Sequence, residues 1–443
     1  RLLMIIQDLS EQLIIDSLSD YLNNVETQRT KEREYLLDFY EGINMEEYVG
    51  DYFGSESLQQ VPLFSQNLTK RVCKARAQSY RRPPRMNVDS RYIDLADMQD
   101  LNTKRRQLEQ LTFLLGTMAF RSVWNSRKNV VEYELLPFFE PLFLPGEKKP
   151  FGVVYALENE GMSRLGSQEF IVWTEERDGM PGRHFGINAD GEKVSFNEGD
   201  INPYGIMPVC FAHRYQPIRD FYVGGAEDVV RADLALSVAA MEISLCIRLG
   251  AIGVKFVTGV DDRSRIKIGV DKVLFLPEGA NFGVTGPSAS IDQLIKGAKF
   301  LIEQTLNNNQ LRVKFIDSHG NAESAEALRI QEVENHQEVQ NNIEDIWRKW
   351  ESDRYAIDRR IIEVQTGQTL NPEMVVDFEE PQILSPSEER DMYSWLFQNK
   401  LATRESYLLL KNPDLLPEDA QKLLQEVDEA EGQPNRLLNR LQS

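Results

Sequence analysis

Apolar residues recur at helical spacing in the first part of the chain. Leu3, Ile6 and Leu9 lie three residues apart. Further along, Asn67 is a residue type suited to an N-cap, and the polar stretch after it stops at Pro83–Pro84. This pattern predicts that helices come before any sheet. The predicted helices cover 1–24, 28–41, the segment from Asn67 to Pro83, and 91–114.

The period changes to strict alternation at about residue 117. Runs such as "FGVVYALEN" and "EFIVWTEE" are separated by turn signals, among them Asp178–Gly179 and Asp190–Gly191. Asp-Gly is a preferred pair for the type I′ turn of a β-hairpin. The region 117–214 is therefore predicted to be a meandering antiparallel sheet.

Helix returns after Gly224–Gly225. Residues 226–249 contain neither glycine nor proline, and their Ala/Ser-rich interior lets a second helix approach closely. The segment 252–288, rich in glycine and β-branched residues, predicts a few short strands with polar turns. Helix resumes over 289–309, so the predicted order is helix, small β segment, helix.

A very long helix is predicted to follow the polar stretch "RVKFIDSHGN". No glycine or proline occurs between Asn321 and Gly367, which corresponds to a helix of about 60 Å. A helix of this length is expected to need a neighbour of similar length along its apolar seam. That seam consists of Val339, Ile343, Ile346, Trp350, Ile357 and Ile361. After it, the pattern predicts a short strand over 374–378 and several short helices over 385–443.

Composition and charge narrow the class of protein. With 443 residues, 41% hydrophobic and 27% charged, the chain has the composition of a soluble globular protein of two or three domains. The formal net charge of −20 argues against tight wrapping of DNA or RNA. Three scattered cysteines indicate a reduced, intracellular chain. No signal peptide is expected, because Asp8 and Glu11 interrupt the first apolar run and a small-residue cleavage site is missing. No membrane span is expected, because the best apolar run, 234–241, is far too short.

Candidate catalytic and cofactor motifs are absent from the sequence. Cys210 and His213 form a C-x-x-H pair without a second half-site, so we interpret them as a small core residue and a partly exposed ring. The stretch 186–193, "GINADGEK", departs from the phosphate-binding loop at Glu192 and is better explained as a turn. No carboxylate cluster favours metal-dependent catalysis. We expect no enzyme activity, no cofactor and no metal.

The basic run 70–85 has two interpretations. Its seven cations could contact phosphates of a nucleic acid. Alternatively, they form a solvated helix face that docks onto acidic neighbours. The second interpretation is favoured on a chain with a net charge of −20.

Several segments resemble the portal proteins of tailed bacteriophages, the rings through which DNA enters and leaves a capsid. The resemblance covers, with gaps, nearly the whole chain, and the order of its elements is more specific than any single motif. The matching segments are "LLDFYEG" (36–42), "YGIMPVCFAHR" (204–214), "GGAEDVVRADLALS" (224–237), "SAEALR" (324–329) and the helical stretch 383–430.

The resemblance implies a fold and a division into parts. The implied class is α+β and mainly helical, with two stem helices, a small α/β clip between them and a long kinked wing helix after a tunnel loop. The implied parts are a wing of helices and antiparallel strands (1–223), a first stem helix (224–250), the clip (251–288), a second stem helix (289–310), the tunnel loop (311–323), the long wing helix with its return strand (324–384) and a helical crown (385–443).

The resemblance also implies a function. Such a chain forms a ring of twelve subunits at one capsid vertex, the channel for packaging and ejection of double-stranded DNA. Its partners would be the large terminase, a head–tail adaptor, the major capsid protein and DNA held without sequence specificity, with no membrane. It would reside in the virion, and in the host cytoplasm during assembly. A closed ring repeats one heterologous interface, which gives every long helix a neighbour.

Two groups of residues carry the implied contacts. The tunnel loop would touch DNA through Arg312, Lys314, Asp317, Ser318, His319 and Asn321. The clip would dock the terminase and the adaptor through Asp261, Asp262, Arg263, Arg265, Lys267, Asp271 and Lys272.

Two other classes remain as alternatives. A DNA-processing enzyme, either a nuclease or a packaging ATPase, requires a metal or nucleotide site that the sequence does not offer. A coat-type structural protein would leave the order of helix, clip, helix and loop unexplained.

Overall fold

A computed structural model describes most of the chain in two compact units, 1–379 and 380–443. The described residues are 4–6, 14–17, 27–53, 65–156, 170–188, 192–252, 254–258, 281–285, 291–311, 337–378, 386–411 and 420–425.

The first unit combines helices with antiparallel sheets, which confirms the predicted α+β class. Its helices are α1 (Thr27–Glu41), α2 (Met45–Gly50), α3 (Leu68–Arg76), α4 (Ser90–Leu95), α5 (Met98–Leu115), α6 (Glu227–Ile252), α7 (Ile291–Asn308) and α8 (Arg348–Thr366). Residues 337–342 are helical and run through a π turn, Ile343–Trp347, into α8. As predicted from Gly367, α8 ends at Thr366, and Gly367 adopts the left-handed φ of +71° that suits glycine.

The strands of the first unit form four sheets. In chain order they are β1 (Met4–Ile5), β2 (Arg85–Asn87), β3 (Thr117–Asn125), β4 (Val130–Leu136), β5 (Phe139–Phe143), β6 (Gly152–Ala156), β7 (Phe170–Thr174), β8 (His184–Ile187), β9 (Lys193–Ser195), β10 (Val209–His213), β11 (Val254–Thr258), β12 (Asn281–Thr285) and β13 (Val375–Asp377). The sheet orders are β1-β5-β6-β7-β8-β9, β10-β3-β4, β11-β12 and β13-β2.

Among the described strands, every pair is antiparallel except β1 with β5. The predicted antiparallel region is therefore confirmed. Asp178 and Gly179 both have positive φ, at 50° and 75°, as a type I′ turn requires. The second predicted turn, Asp190–Gly191, lies outside the described residues.

The main core lies where α5 and α8 pack on the three-stranded sheet β10-β3-β4. Phe120 of β3 packs edge-on against Trp350 of α8, with ring centroids 5.0 Å apart. A second core covers one side of the six-stranded sheet and includes Ile6, Ile14 and Phe185. A third, small cluster joins α2 to α6 through Val49 and Met241.

Three helix predictions were wrong in part. The helix predicted from Asn67 to Pro83 ends at Arg76, because Ala77 leaves the helical conformation. Within the predicted helix 1–24, Met4–Ile5 form strand β1, because pairing with β5 and burial of Ile6 override the local periodicity. The predicted helix 91–114 is two helices, because the backbone of Ala96 is extended. Asp97 is the N-cap of the second helix, since its carboxylate accepts from the backbone N–H of Asp100 at 3.0 Å.

The seam of the long helix does not need a neighbouring copy in its described part. Val339, Ile343, Trp350 and Ile361 are all buried against this chain's own core. The expectation that the helix must find a partner of similar length is therefore wrong for residues 337–366, since the sheet and α5 already cover the seam.

The second unit is built around two helices, α9 (Pro386–Gln398) and α10 (Arg404–Lys411). Tyr393 of α9 packs edge-on against Tyr407 of α10, with ring centroids 4.3 Å apart. Thr403 starts α10 by accepting a hydrogen bond from the backbone N–H of Ser406 at 3.1 Å. Residues 420–425 are helical, and Gln421 bonds Glu405. The predicted short helices of this region are confirmed where it is described.

The entry into α6 depends on a glycine that admits no side chain. A Cβ atom on Gly225 would lie 2.1 Å from the carbonyl oxygen of Leu114, which already accepts from the N–H of Ala226 at 2.8 Å. On the adjacent Gly224, a Cβ would meet only the Tyr215 hydroxyl, at an ordinary 3.5 Å. Close approach of α6 to the end of α5 thus requires glycine at 225 and not at 224.

We expect Gly225→Ala to lower the free energy of unfolding by about 2–3 kcal/mol, because the backbone of Leu114 must shift to admit the methyl group. Gly224→Ala is the matched control and should change it by less than about 0.5 kcal/mol. Urea unfolding followed by tryptophan fluorescence measures both. Equal effects of the two substitutions would contradict the assignment.

Candidate interaction surface and its charged support

Helices α6 and α7 lie side by side and antiparallel. The direction follows from one contact, since Asn309, just after α7, donates to the carboxylate of Asp228 at the start of α6 at 3.3 Å. Their 26 and 18 residues correspond to lengths of about 39 and 27 Å. We call these two helices the helix pair.

The strand pair β11-β12 lies between the two helices in sequence. Val254, two residues beyond α6, pairs with Thr285 of β12, and the register continues to Thr258 opposite Asn281. The chain therefore leaves as a helix, turns through two antiparallel strands and returns as a helix. This order confirms the predicted sequence of helix, β segment and helix.

The helix pair exposes large apolar side chains. Ile247 of α6 and Phe300 of α7 are 53% and 58% exposed, and Ile295 and Leu301 are exposed as well. Exposed apolar side chains on two adjacent helices make this part of the chain a candidate surface for binding another protein. We call these four residues the helix-pair surface.

A buried carboxylate fixes the N-terminal part of α6 to α3. Asp233 of α6 accepts from both the backbone N–H and the hydroxyl of Thr69 at 2.8 Å, so it caps the N-terminus of α3. Burial raises the pKa of Asp233, and the hydrogen bonds to Thr69 oppose that rise. Asn67 occupies the predicted N-cap position, but its side chain makes no capping hydrogen bond. The cap is supplied from α6 instead.

A group of buried charges fixes α8 on the body of the first unit. Glu351, Arg354 and Asp358 of α8 are fully buried, and so is Arg105 of α5. Arg105 donates to both carboxylate oxygens of Glu351, at 2.7 and 2.6 Å. Arg354 donates to Glu351 at 3.0 Å and also pairs with Asp358. Two positive and two negative side chains thus neutralise each other, and we call these four residues the charged core.

Hydroxyl groups from four other segments complete the charged core. Tyr80 donates to Glu351 at 2.9 Å, while Tyr92 and Tyr133 donate to Asp358 at 2.7 and 3.0 Å. Ser122 of β3 donates to the other oxygen of Asp358 at 2.5 Å. Every carboxylate oxygen therefore has a donor. Such a network holds elements together, and its carboxylates are buried among donors of this chain.

Electrostatics keep Glu351 ionised. Burial alone would raise the pKa of Glu351, but the guanidinium groups of Arg105 and Arg354 outweigh it and lower the pKa below its usual value. Burial also raises the pKa of Tyr80 well above its ordinary value, so its hydroxyl stays a donor.

The Cys210 and His213 pair is not a metal site. Cys210 is buried and His213 is three residues along the same strand, which places their side chains on opposite faces of β10. Burial lowers the pKa of His213 to about 4, and its Nδ1 lies 3.1 Å from the Thr117 hydroxyl. The interpretation of Cys210 as a core residue is confirmed. Among the described residues, no three His, Cys, Asp or Glu side chains form a group that could hold a metal ion.

The basic run has one buried member. Arg76, the last residue of α3, pairs with Glu338, as the docking interpretation expects. Arg71, Lys74, Arg81 and Arg82 are exposed.

In the part of the chain that the structure covers, no helix combines the length and apolar character needed to cross a bilayer.

The predicted loop and clip residues lie outside the described part of the chain. All six loop residues fall within 312–336, and all seven clip residues fall within 259–280. Their roles therefore stay predictions. The described residues nearest to them are Leu311 and residue 337 for the loop, and Thr258 and Asn281 for the clip.

The charged core was missed by the sequence reasoning, although a signal was present. Glu351, Arg354 and Asp358 are spaced by three and four residues, so they share one face of a helix. Their neighbours Trp350, Ile357 and Ile361 belong to the apolar seam, which places the charged residues beside it.

Comparisons with known proteins find similarity in structure only. No protein-family model matches the chain, and no curated protein matches it. In structure the chain is similar to a HK97 family phage portal protein from Corynebacterium diphtheriae, at 10% identity and a TM-score of 0.32, over 74% of this chain and 95% of that one. It is also similar to chains of gene transfer agent (GTA) particles.

One of these chains is from the neck of a native GTA particle computed with C12 symmetry. It is 13% identical, with a TM-score of 0.40, over 81% of this chain and 93% of that one. Another is from the virion of a native GTA particle, at 13% identity and a TM-score of 0.36, over 86% of this chain and 93% of that one.

We expect Glu351→Gln to lower the free energy of unfolding by about 3–5 kcal/mol at neutral pH, because the buried Arg105 loses its counter-charge and Arg354 keeps only Asp358. Glu363→Gln, which alters an exposed pair with Arg360, is the control and should change it by less than about 0.5 kcal/mol. The measurement is urea unfolding followed by the fluorescence of the nearby Trp347 and Trp350.

The difference between wild type and Glu351→Gln should depend on pH. The pKa of Glu351 is lower in the folded chain than the ordinary value of 4.5, so its contribution is fully present above pH 4.5. It should be lost as the pH falls through the lower folded value. A difference that stayed constant from pH 7 to pH 3 would contradict the role of Glu351 as a carboxylate.

Proposed function

We propose that the chain is the subunit of a viral portal ring, a conduit for double-stranded DNA at one vertex of a capsid. The observation that carries the proposal is the helix pair with its strand pair and its exposed apolar surface. In this proposal α6 and α7 are the stem helices, and β11-β12 belong to the clip. The C-terminal helices, α9 and α10, belong to the crown.

The exposed apolar residues supply the reason for assembly. Phe300 is 58% exposed to solvent. Fully burying an exposed side chain of this size contributes about 1.5–3 kcal/mol, and the exposed part of Phe300 would gain its share of that in an interface. A heterologous interface that repeats and closes would cover this surface in every copy. Twelve copies are proposed, the usual number in the family that the sequence resembles.

The charge of the chain supports passage of DNA rather than storage of it. A net charge of −20 per copy makes the surface of a ring strongly acidic, so a polyanion would not be held along the wall. The proposed points of contact are the cations of the loop, Arg312 and Lys314, acting on phosphates without reading bases.

The clip is the proposed docking site for protein partners. Its charged residues, from Asp261 to Lys272, carry both signs and follow directly after β11. In the proposal, the large terminase binds there during packaging and the head–tail adaptor binds afterwards, while the major capsid protein surrounds the wing. The charged core does not favour the enzyme alternative, because its carboxylates are fully buried and paired with arginines of this chain.

The mass of the assembled chain tests the proposal. A ring of twelve copies of the 51.0 kDa chain has a native mass of roughly 610 kDa and a central hole in negative-stain images. We expect native mass spectrometry to find this species. A monomer that hydrolyses ATP or cleaves DNA would contradict the proposal and favour a DNA-processing enzyme.

We expect replacement of Arg312 and Lys314 by alanine to leave ring assembly intact and to reduce the DNA packaged per particle about tenfold, since charge-assisted contacts to phosphate are lost. The control removes two exposed cations of α3, by Arg71→Ala with Lys74→Ala, and should leave packaging unchanged. Packaged DNA is measured by nuclease protection. An unchanged yield in the loop variant would rule out this role for the loop.

A further inference from the structure

We propose that Arg76 holds together Gln310 and Glu338, the described residues on either side of positions 312–336. Its importance for a channel rests on the proposed function, but the contacts themselves do not. Arg76 is the last residue of α3, and only 7% of its side chain is exposed. It is the buried member of the basic run, whereas Arg71 and Lys74 on the same helix are exposed.

One guanidinium group contacts the residues that flank the segment on either side. Its Nη1 donates to Oε1 of Gln310 at 3.3 Å, and its Nη2 pairs with the carboxylate of Glu338. Gln310 lies two residues before position 312, and Glu338 lies two residues after position 336. Two residues 28 positions apart in sequence therefore lie within the reach of a single side chain.

Both contacted residues belong to ordered turns or helices. Gln310 has a left-handed φ of +55°, and the N–H of the next residue, Leu311, donates to Leu306 at 2.8 Å. On the other side, Val339 and Ile343 are buried beside Glu338. Arg76 thus connects two fixed points, and not two free chain ends.

The surroundings of Arg76 orient its side chain. Its guanidinium carbon lies 5.8 Å from the ring centre of Phe113 in α5, within the range of a cation–π contact. Arg76, Phe113, Glu338 and Trp347 line one cleft of about 390 Å³. Polar contacts across this cleft therefore hold residues 337–342 in place where apolar packing is incomplete.

The chemistry favours arginine at this position. Its planar fork presents separate N–H groups to Gln310 and Glu338 at once, whereas lysine offers one compact ammonium group. Arg76 should accordingly fix the separation of Gln310 and Glu338. In the proposed ring, these two residues flank the part of the chain that carries Arg312 and Lys314.

Hydrogen exchange on the purified full-length chain tests the inference, with Arg76→Gln compared with Arg71→Gln. Hydrogen bonds to a charged group contribute about 1.5–3 kcal/mol, and the partial exposure of Glu338 places this contact at the lower end. We expect exchange of the amides of 309–311 and 337–342 to accelerate about tenfold in Arg76→Gln and to stay unchanged in Arg71→Gln.

Two further variants test the same contacts if Arg76→Gln folds poorly. Glu338→Gln should accelerate exchange on the 337–342 side, and Arg76→Lys should give an intermediate effect. Exchange rates equal to those of Arg71→Gln in every variant would overturn the inference. So would an acceleration spread equally over α5 and β3, because Arg76 would then stabilise the fold in general.

The experiment separates this inference from the proposed function. Exchange is measured on the unassembled chain, so its outcome does not depend on ring formation. A chain that forms no ring but shows the local acceleration would refute the portal proposal and leave the role of Arg76 intact. A chain that forms a ring but lacks the local acceleration would refute the role of Arg76 and leave the portal proposal intact.

Discussion

Two buried carboxylates, Glu351 and Asp358, constrain the arrangement of the whole first unit. Neither can stay buried and ionised unless positive charge and hydrogen-bond donors surround it. Arg105 and Arg354 supply the charge, and hydroxyl donors arrive from β3, β4, α4 and the segment after α3. Each of these elements is thereby fixed against α8. The charged core sets their relative positions more narrowly than apolar packing alone, which tolerates substitutions of similar volume.

The charged core also determines where the helix pair lies, because α5 connects the two. The charged core holds α5 through Arg105, and the end of α5 receives the start of α6 at Gly225 and Leu114. Asp233 then ties α6 to α3 by capping it, and Arg76 at the other end of α3 reaches the residues around 312–336. A series of specific contacts therefore leads from the charged core to the surfaces that the proposed function uses.

The sequence predicted elements where one local rule decided the outcome. Gly367 ended the long helix, alternation located the sheets, and Asp178–Gly179 formed the expected turn. Predictions were wrong where a distant residue intervened: Asp233 replaced the side chain of Asn67 as a cap, and pairing with β5 turned Met4–Ile5 into a strand. The charged core escaped notice because charged residues on a helix usually face water. The loop and clip residues stay predictions.

The central claim is that the helix pair forms the wall of a channel by packing against copies of itself. A cryo-electron microscopy reconstruction of the assembled particle tests it most directly. The account predicts a closed ring in which α6 and α7 surround the axis, with Ile247, Ile295 and Phe300 buried between neighbouring copies. A particle in which these side chains face solvent, or in which the helix pair lies at the outer rim, would contradict it.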